Sequence, residues 1–249
     1  MAARATEFTG EEYGEAYPAG VENTYWHLAR GRILERQLRA AGSTRVLDVG
    51  CGRGILVKYL NDQGIDCYGV ELAEVEVPES LRDRIITGMA AENLSADLRA
   101  TVDTIVLGDV IEHLADPVTF LRGLPLAFPR LRALLVAVPA RSELWSNYDE
   151  HYGHYRRYDL ATLSKTIEAA GFAVSELRYM FRLLYLPARI LLALRGSREI
   201  SIQPAGSRSV FHRLVATLIA MEFAFLPKRV YGTSAICRAV LPDRAALAE

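Results

Sequence analysis

The 249-residue sequence is short of most features that would place it in a specialised class. It has three cysteines, Cys51, Cys67 and Cys237, and no CxxC pair. That excludes a disulfide framework and fits a reduced, cytoplasmic setting. Its first thirty residues hold acids and aromatics rather than a charged start leading into an apolar run, so no signal peptide is expected. Long hydrophobic runs are missing as well. The richest stretches, Leu183–Leu194 and Leu214–Leu226, are interrupted by Pro187 and Arg189 or by Glu222. Both fall short of the roughly 20 residues that a membrane-spanning helix needs. There is no internal repeat, no low-complexity tract and almost no net charge, −1 in total. With 51% hydrophobic and 24% charged residues, the composition excludes wholesale disorder and a collagen-like chain.

The near-neutral total hides a division. Residues 178–249 carry eleven Arg and Lys against four acids, which leaves the preceding part net acidic. An acidic body is followed by a basic, apolar tail.

Periodicity supplies the elements. Residues 22–41 read as a helix, with Trp26, Ile33, Leu34 and Leu38 on one face. Short apolar strands are expected at Arg45–Val49, Cys67–Leu72, Arg84–Thr87, Thr104–Leu107, Ala133–Val138 and Phe172–Tyr179. Helices fall between them: one to about Asp62, one taking in Phe120 and Leu121, and one over Thr162–Ala170 with Asp159 as a plausible cap. Strands alternating with helices indicate an α/β, doubly wound, mostly parallel sheet. Residues 229–240 alternate well enough to close it. Segment 181–228 is then an insertion of two amphipathic helices joined by the polar stretch 195–209. The chain reads as one domain over 1–249: a helical cap at 1–41, a core at 42–180, the insertion, and a closing strand at 229–241.

The strongest motif is Val46-Leu47-Asp48-Val49-Gly50-Cys51-Gly52-Arg53-Gly54. A strand enters three alternate glycines, where a tight turn and close approach to a ligand leave no room for a Cβ. Asp48 at the strand end would repel a pyrophosphate, and the spacing is GxGxG rather than GxGxxG, both of which argue against NAD(P). Glu71 ends the second strand, where a carboxylate can accept both ribose hydroxyls.

These residues resemble the class I S-adenosylmethionine (SAM)-dependent methyltransferases over roughly residues 22–180. The glycine loop matches the family's first motif, and Tyr68-Gly69-Val70-Glu71 its ribose-binding strand end. Ile105 to Leu114, with Asp109, Glu112 and His113, looks like its fourth strand and the helix after it. The resemblance implies a seven-stranded sheet and SAM as cofactor. It places Gly50, Gly52 and Gly54 on the methionine and ribose, Glu71 on the ribose, and Met89 and Ala90 beside the adenine. Asp48 and Asp109 complete this cofactor set. Family members commonly hold the adenine amino group with an Asp in the loop filled here by Met89-Ala90-Ala91-Glu92.

On the first helix, Tyr25-Trp26-His27-Leu28-Ala29-Arg30-Gly31-Arg32 resembles a segment that lies over the cofactor in some small methyltransferases. Arg30, with Arg32 behind it, offers a guanidinium for the SAM carboxylate. Tyr13, Tyr17, Tyr25 and Trp26 could wall the cofactor or substrate.

Methyl transfer to a hydroxyl needs an aligned nucleophile and a base, and α/β folds bind ligands at the carboxyl ends of their strands. His113 follows the fourth strand. After the fifth, residues 139–158 gather acids, histidines, arginines and aromatics. Within them Gly153-His154-Tyr155-Arg156-Arg157-Tyr158 resembles a segment of one methyltransferase subgroup associated with polysaccharide, lipid or natural-product pathways. By that match His154 is the leading base, Asp149 orients it or acts instead, and Arg157 anchors an anionic substrate or pairs with an acid. Trp145, Tyr155 and Tyr158 are expected around the substrate. Asp149, His151 and His154 have metal-ligand types but no evident fourth partner, so no metal is expected.

The expected activity is methyl transfer to an oxygen, before nitrogen or carbon, of a small metabolite or a lipid- or sugar-linked one. Two rival readings stay open. One is SAM chemistry at another carbon, by aminocarboxypropyl transfer or by cyclisation releasing methylthioadenosine. The other is a non-catalytic SAM-binding module that docks on membranes. The insertion suits an anionic membrane, a lipid-like substrate, a homodimer or a lid. Its basic residues alternate with aliphatics, which argues against nucleic acid.

Overall fold

A computed structural model describes residues 17–198 and 209–242. Tyr13 and the linker at 199–208 lie outside the described residues. Strand β1 (Arg45–Val49) buries every residue from Val46 to Val49, the pattern of a strand covered on both faces. It pairs in parallel with β2 (Asp66–Val70) and β4 (Thr104–Gly108); β3 (Ile85–Ile86) pairs with β2 and β5 (Ala133–Pro139) with β4. The closing strand β7 (Ser234–Val240) runs antiparallel between β5 and β6 (Ala173–Met180). The seven-stranded order is β3-β2-β1-β4-β5-β7-β6, the doubly wound architecture expected. The chain reverses direction across the sheet between β1 and β4, so loops after these strands meet in one crevice.

Alternate residues feed two core layers. Leu47, Leu107 and Val136 face helices α4 (Pro117–Ala127) and α6 (Leu160–Ala169), while Val46, Val106 and Leu135 face α1 (Tyr25–Ala40) and α2 (Ile55–Asp62). The short helices α3 (Ala96–Arg99) and α5 (Asn147–His151) sit in connections. Local chemistry sets the ends. Asp116 accepts from the Thr119 amide ahead of Pro117, and Asp159 and Thr162 cap α6 reciprocally.

Three expectations are corrected. The first helix starts at Tyr25, after a 3-10 turn at Val21–Asn23. The segment after β4 is a 3-10 turn, Ile111–His113, because the helix waits for the Asp116-Pro117 start. The closing strand begins at Ser234 rather than 229: Gly232 packs so closely on the Met180 carbonyl that no Cβ would fit.

The insertion forms helices α7 (Tyr185–Arg195) and α8 (Ser209–Phe225). Helix α8 packs on α1 through Ala216, Ile219 and Phe223. His212 accepts the Tyr25 amide at 3.0 Å, and Arg32 donates to Thr217 at 2.9 Å. Helix α7 buries no residue fully. Leu186, Ile190 and Leu194 on it, and Val210, Phe211, Leu214 and Phe225 on α8, stay exposed, Leu194 and Phe225 to 80%.

Candidate active site

Strand β1 ends in a loop that only glycine can follow. Gly50, Gly52 and Gly54 have φ of 75°, 54° and 82°, a region costly to side chains. Space is as limiting as angle. A Cβ on Gly50 would come within 2.8 Å of Val110, one on Gly54 would collide with Ile85, and one on Gly52 with the Tyr17 hydroxyl. Tyr17 thus lies over the loop, a position that sequence spacing alone did not assign to it. Glu71 holds the loop from the end of β2, accepting the Gly52 amide at 2.8 Å and the Ala73 amide at 3.2 Å.

A cavity beside the loop is lined by Tyr17, His27, Arg30, Asp48, Gly50, Cys51 and Gly108, among others. Burial pushes the Asp48 carboxyl up to about 7, with Arg30 opposing and Glu71 and Asp109 adding to the rise. Burial, and then Arg30, push the His27 imidazole down to about 3, so it is neutral. Arg30 crosses the end of β4 above Gly108 and pairs with Asp109 at 2.9 Å. Its Nε and the Nε2 of His27 are buried without hydrogen-bond partners. Donors left over at one end and acids at the other fit a zwitterion that also carries a sulfonium, which is the chemistry of SAM. Arg32, by contrast, is spent on Thr217 of α8. Met89 packs on the core beside β2 and donates its amide to the Glu71 carbonyl; Ala90 follows it at the rim.

Asp109 itself has φ of 58°, a left-handed turn that redirects the chain from β4 into Glu112 and His113. There the second cluster begins. The His113 and His154 rings meet edge to face with centroids 4.7 Å apart. His154 Nδ1 is 2.8 Å from Asp149, which is fully buried and also takes both arms of Arg157, at 2.7 and 3.0 Å. Against the upward push of burial, bonds from His154 and Arg157 hold the Asp149 carboxyl below the usual range. Asp149 thus holds the His154 ring through Nδ1 and leaves Nε2 facing away from it. Burial and the neighbouring His154 push His113 down to about 4, partly offset by a hydrogen bond to the Tyr152 backbone. Glu112, absent from the expected site set, is 0% exposed, and neither carboxylate oxygen has a hydrogen-bond partner. Burial, and then the Asp109 charge, raise its carboxyl well above the usual range. An acid directly before a histidine at the end of an apolar strand was the available signal.

Ligand atoms of Glu112, His113 and His154 lie within 4.8 Å of one another, close enough to hold a metal ion. His151, expected as a metal-ligand type, packs instead against the Tyr152 ring.

The expected substrate walls divide. Tyr155 is exposed and Trp145 partly so, at the rim. Tyr158 is core, 2% exposed, its hydroxyl donating to the Ile111 carbonyl. Arg157 is spent on Asp149 and the Ala140 carbonyl, so it ties the loop rather than offering a free cation. Tyr25 stacks on His212 and Trp26 on Phe181, both at the joint between α1 and the insertion. Each of the four thus makes an internal contact: Arg157 and Tyr158 by hydrogen bonds, Tyr25 and Trp26 by ring stacking. The loop is also joined to the insertion: Tyr185 donates to Glu143, and Asn147 exchanges hydrogen bonds with the Arg198 backbone.

Comparison with known proteins places the chain in a family. Residues 25–177 match the family model described as a methyltransferase domain. A ubiquinone biosynthesis O-methyltransferase of Leptothrix cholodnii is 29% identical over 98 residues, 36% of this chain and 42% of that protein. The match thus spans less than half of that relative. A Bordetella parapertussis protein of the same name is 23% identical over 78% of this chain and 76% of its own. Among solved structures, the plantazolicin methyltransferase BamL, in complex with a triazolic desmethylPZN analog and SAH (S-adenosylhomocysteine), superposes with a TM-score of 0.51 at 11% identity, covering 94% of this chain and 89% of BamL. That likeness is one of fold. With the family model covering more than half of the chain, the protein belongs to the methyltransferase-domain family, and its sheet has the fold of the class I SAM-dependent methyltransferases.

Proposed function

We propose that the protein methylates a hydroxyl oxygen of a small, lipid-linked acceptor. The observation that carries the reading is the Asp149–His154–His113 cluster at the carboxyl ends of β4 and β5. The glycine loop, Glu71, Met89 and Ala90 would hold the nucleoside half of SAM, and Arg30 with His27 its carboxylate. Asp48 supplies negative charge beside the sulfonium, and Asp109 positions Arg30 through their ion pair. When bound, SAM supplies an electrophilic methyl group, which the acceptor oxygen takes as the carbon–sulfur bond breaks. Asp149 orients the imidazole of His154, whose Nε2 is placed to accept the hydroxyl proton.

The preference for a lipid-linked acceptor rests on the exposed apolar faces of α7 and α8, the first of them tied through Tyr185 to the loop that carries His154. Exposed Arg189, Arg195 and Arg213 flank those faces, a combination that suits an anionic membrane surface. No helix among the described residues is long and apolar enough to cross a membrane. The protein works in the cytoplasm at that surface, and the relatives named for ubiquinone biosynthesis support a membrane-borne phenol as one acceptor class.

The test is incubation with methyl-labelled SAM and fractionated lipid and aqueous extracts. Label in the lipid fraction with stoichiometric SAH supports the proposal. Methylthioadenosine in place of SAH would refute methyl transfer, and label confined to the aqueous fraction would refute the acceptor class.

A further inference from the structure

Glu112 is the unexplained group of the site. A buried carboxylate loses its hydration, and native proteins repay that loss with donors or a cation. Here no donor reaches either oxygen. The polar groups it does meet are two imidazoles, whose ligand nitrogens lie with its oxygen inside a 4.8 Å span. Both rings are held from behind: His154 by Asp149 through Nδ1, at 2.8 Å, and His113 by the Tyr152 backbone. A carboxylate or backbone group behind an imidazole fixes its tautomer and turns the other nitrogen toward a metal. Asp149 cannot be a fourth ligand of this group, since Arg157 and Ser146 take its remaining capacity.

We propose that Glu112, His113 and His154 form a site for a divalent transition-metal cation, with its remaining positions open toward the acceptor. Two imidazoles and one carboxylate suit Mn2+, Fe2+, Co2+ or Zn2+, whereas Mg2+ and Ca2+ favour shells of oxygen. The cation's role rests on the acceptor-side reading given above. Bound to it, the acceptor hydroxyl is acidified: its O–H bond breaks, the proton passes to water, and the oxygen keeps the electron pair that forms the new carbon–oxygen bond. His154 is then a ligand, and its Nε2 acts as base only in the cation-free protein. By sequence only Asp149, His151 and His154 come into question and no metal is expected, because the residues on β4's turn are some forty positions away from His154 in the chain.

The experiment uses the untagged full chain, stripped with chelator and titrated with Mn2+ while the free-ion resonance signal is followed. One Mn2+ per chain is expected. Glu112→Gln, which keeps shape and removes charge, should weaken binding at least tenfold, in line with the roughly 10- to 100-fold effects of disturbing metal sites. SAM binding by calorimetry checks that the variant is folded; should it not be, His154→Gln carries the same comparison. Wild-type protein that binds no Mn2+ below millimolar concentration, or folded variants that bind it as wild type does, would overturn the proposal. The readout needs no turnover, so absence of methyl transfer in the extract assay and absence of cation binding are separate failures.

Discussion

Glu222 interrupts the second apolar helix of the insertion, and its replacement by alanine tests what anchors that helix. Its carboxylate accepts the amides of Arg182 and Leu183, each at 2.6 Å, and its carbonyl accepts Arg182 Nη1 at 2.9 Å. Both Glu222 and Arg182 are buried. Burial, with Arg178 nearby, lowers the Arg182 guanidinium, and Glu222 is the charge that opposes this. Glu222→Ala removes two charge-assisted bonds of about 1.5–3 kcal/mol each and strands a buried arginine, so a loss of about 3–5 kcal/mol is expected. For a protein of this size that lowers Tm by roughly 6–20 °C, at about 2–4 °C per kcal/mol. Urea unfolding followed by circular dichroism measures it as a shifted midpoint at unchanged slope. Glu222→Gln should recover part of the loss, because its carbonyl still serves one amide. A Glu222→Ala protein within 1 kcal/mol of wild type would show that the insertion is not anchored here and that its helices are held by apolar contact alone.

Gly54→Ala, at φ of 82° and against Ile85, should lower stability and SAM affinity together, read by melting with and without SAM. Asp48 gives a pH dependence whose sign is fixed. Its folded-state value of about 7 lies above the usual carboxylate value, so the folded protein holds an extra proton between about pH 4 and 7 and loses stability as pH rises through that window. A sulfonium favours the ionised form, so SAM binding should release protons and tighten from pH 6 to 8; calorimetry in buffers of differing ionisation enthalpy reads this, and an equal slope in Asp48→Asn would refute it. Asp103 is the opposite case: against the upward push of burial, Thr44 and Thr104 hold it below the usual range. Its stabilisation is present above the unfolded-state value and lost as pH falls through the lower folded one, so Asp103→Asn should flatten acid unfolding. For the apolar faces, Leu186→Glu with Leu194→Glu should abolish sedimentation with phosphatidylglycerol vesicles, while SAM affinity stays as it was.

Much of the sheet was legible because its strands are short apolar runs punctuated by glycine and proline, and because Asp116 and Asp159 announce their helices. The cofactor loop was legible for a related reason: its residues are contiguous, and backbone geometry alone demands Gly50, Gly52 and Gly54. What sequence could not supply was pairing across the chain. Arg157 had two plausible partners, an anionic substrate and an acid, and only folding brings it to Asp149 eight residues earlier. Tyr158 and Tyr155 share one composition-rich loop, yet the first turns into the core beside Ile111 and the second outward. Glu112 was hidden differently. The run it belongs to reads as a strand and the helix after it, whereas the left-handed turn at Asp109 leads into a 3-10 turn in which Glu112 is buried.

The same distinction reshapes the meaning of the basic tail. Counted along the chain, its cations suggest one positive surface. In the fold, several of them are consumed internally: Arg182 on Glu222 and the Val230 carbonyl, Arg178 between Glu176 and the Phe223 ring, and Lys228 on Glu176. These pin the insertion to β6 and say nothing of a partner. Among the cations that remain exposed, Arg189, Arg195 and Arg213 lie on α7 and α8, beside the exposed leucines. An internal fastening would not need apolar and basic residues together on an outer face, whereas an anionic, apolar layer such as a lipid surface uses both. On the proposed membrane-docking reading, the charge that bears on function is smaller than the count: part of it sits on α7, which is tied to the loop of His154 through Tyr185, so docking there would bring a membrane-borne hydroxyl toward the two histidines rather than toward the opposite edge of the sheet.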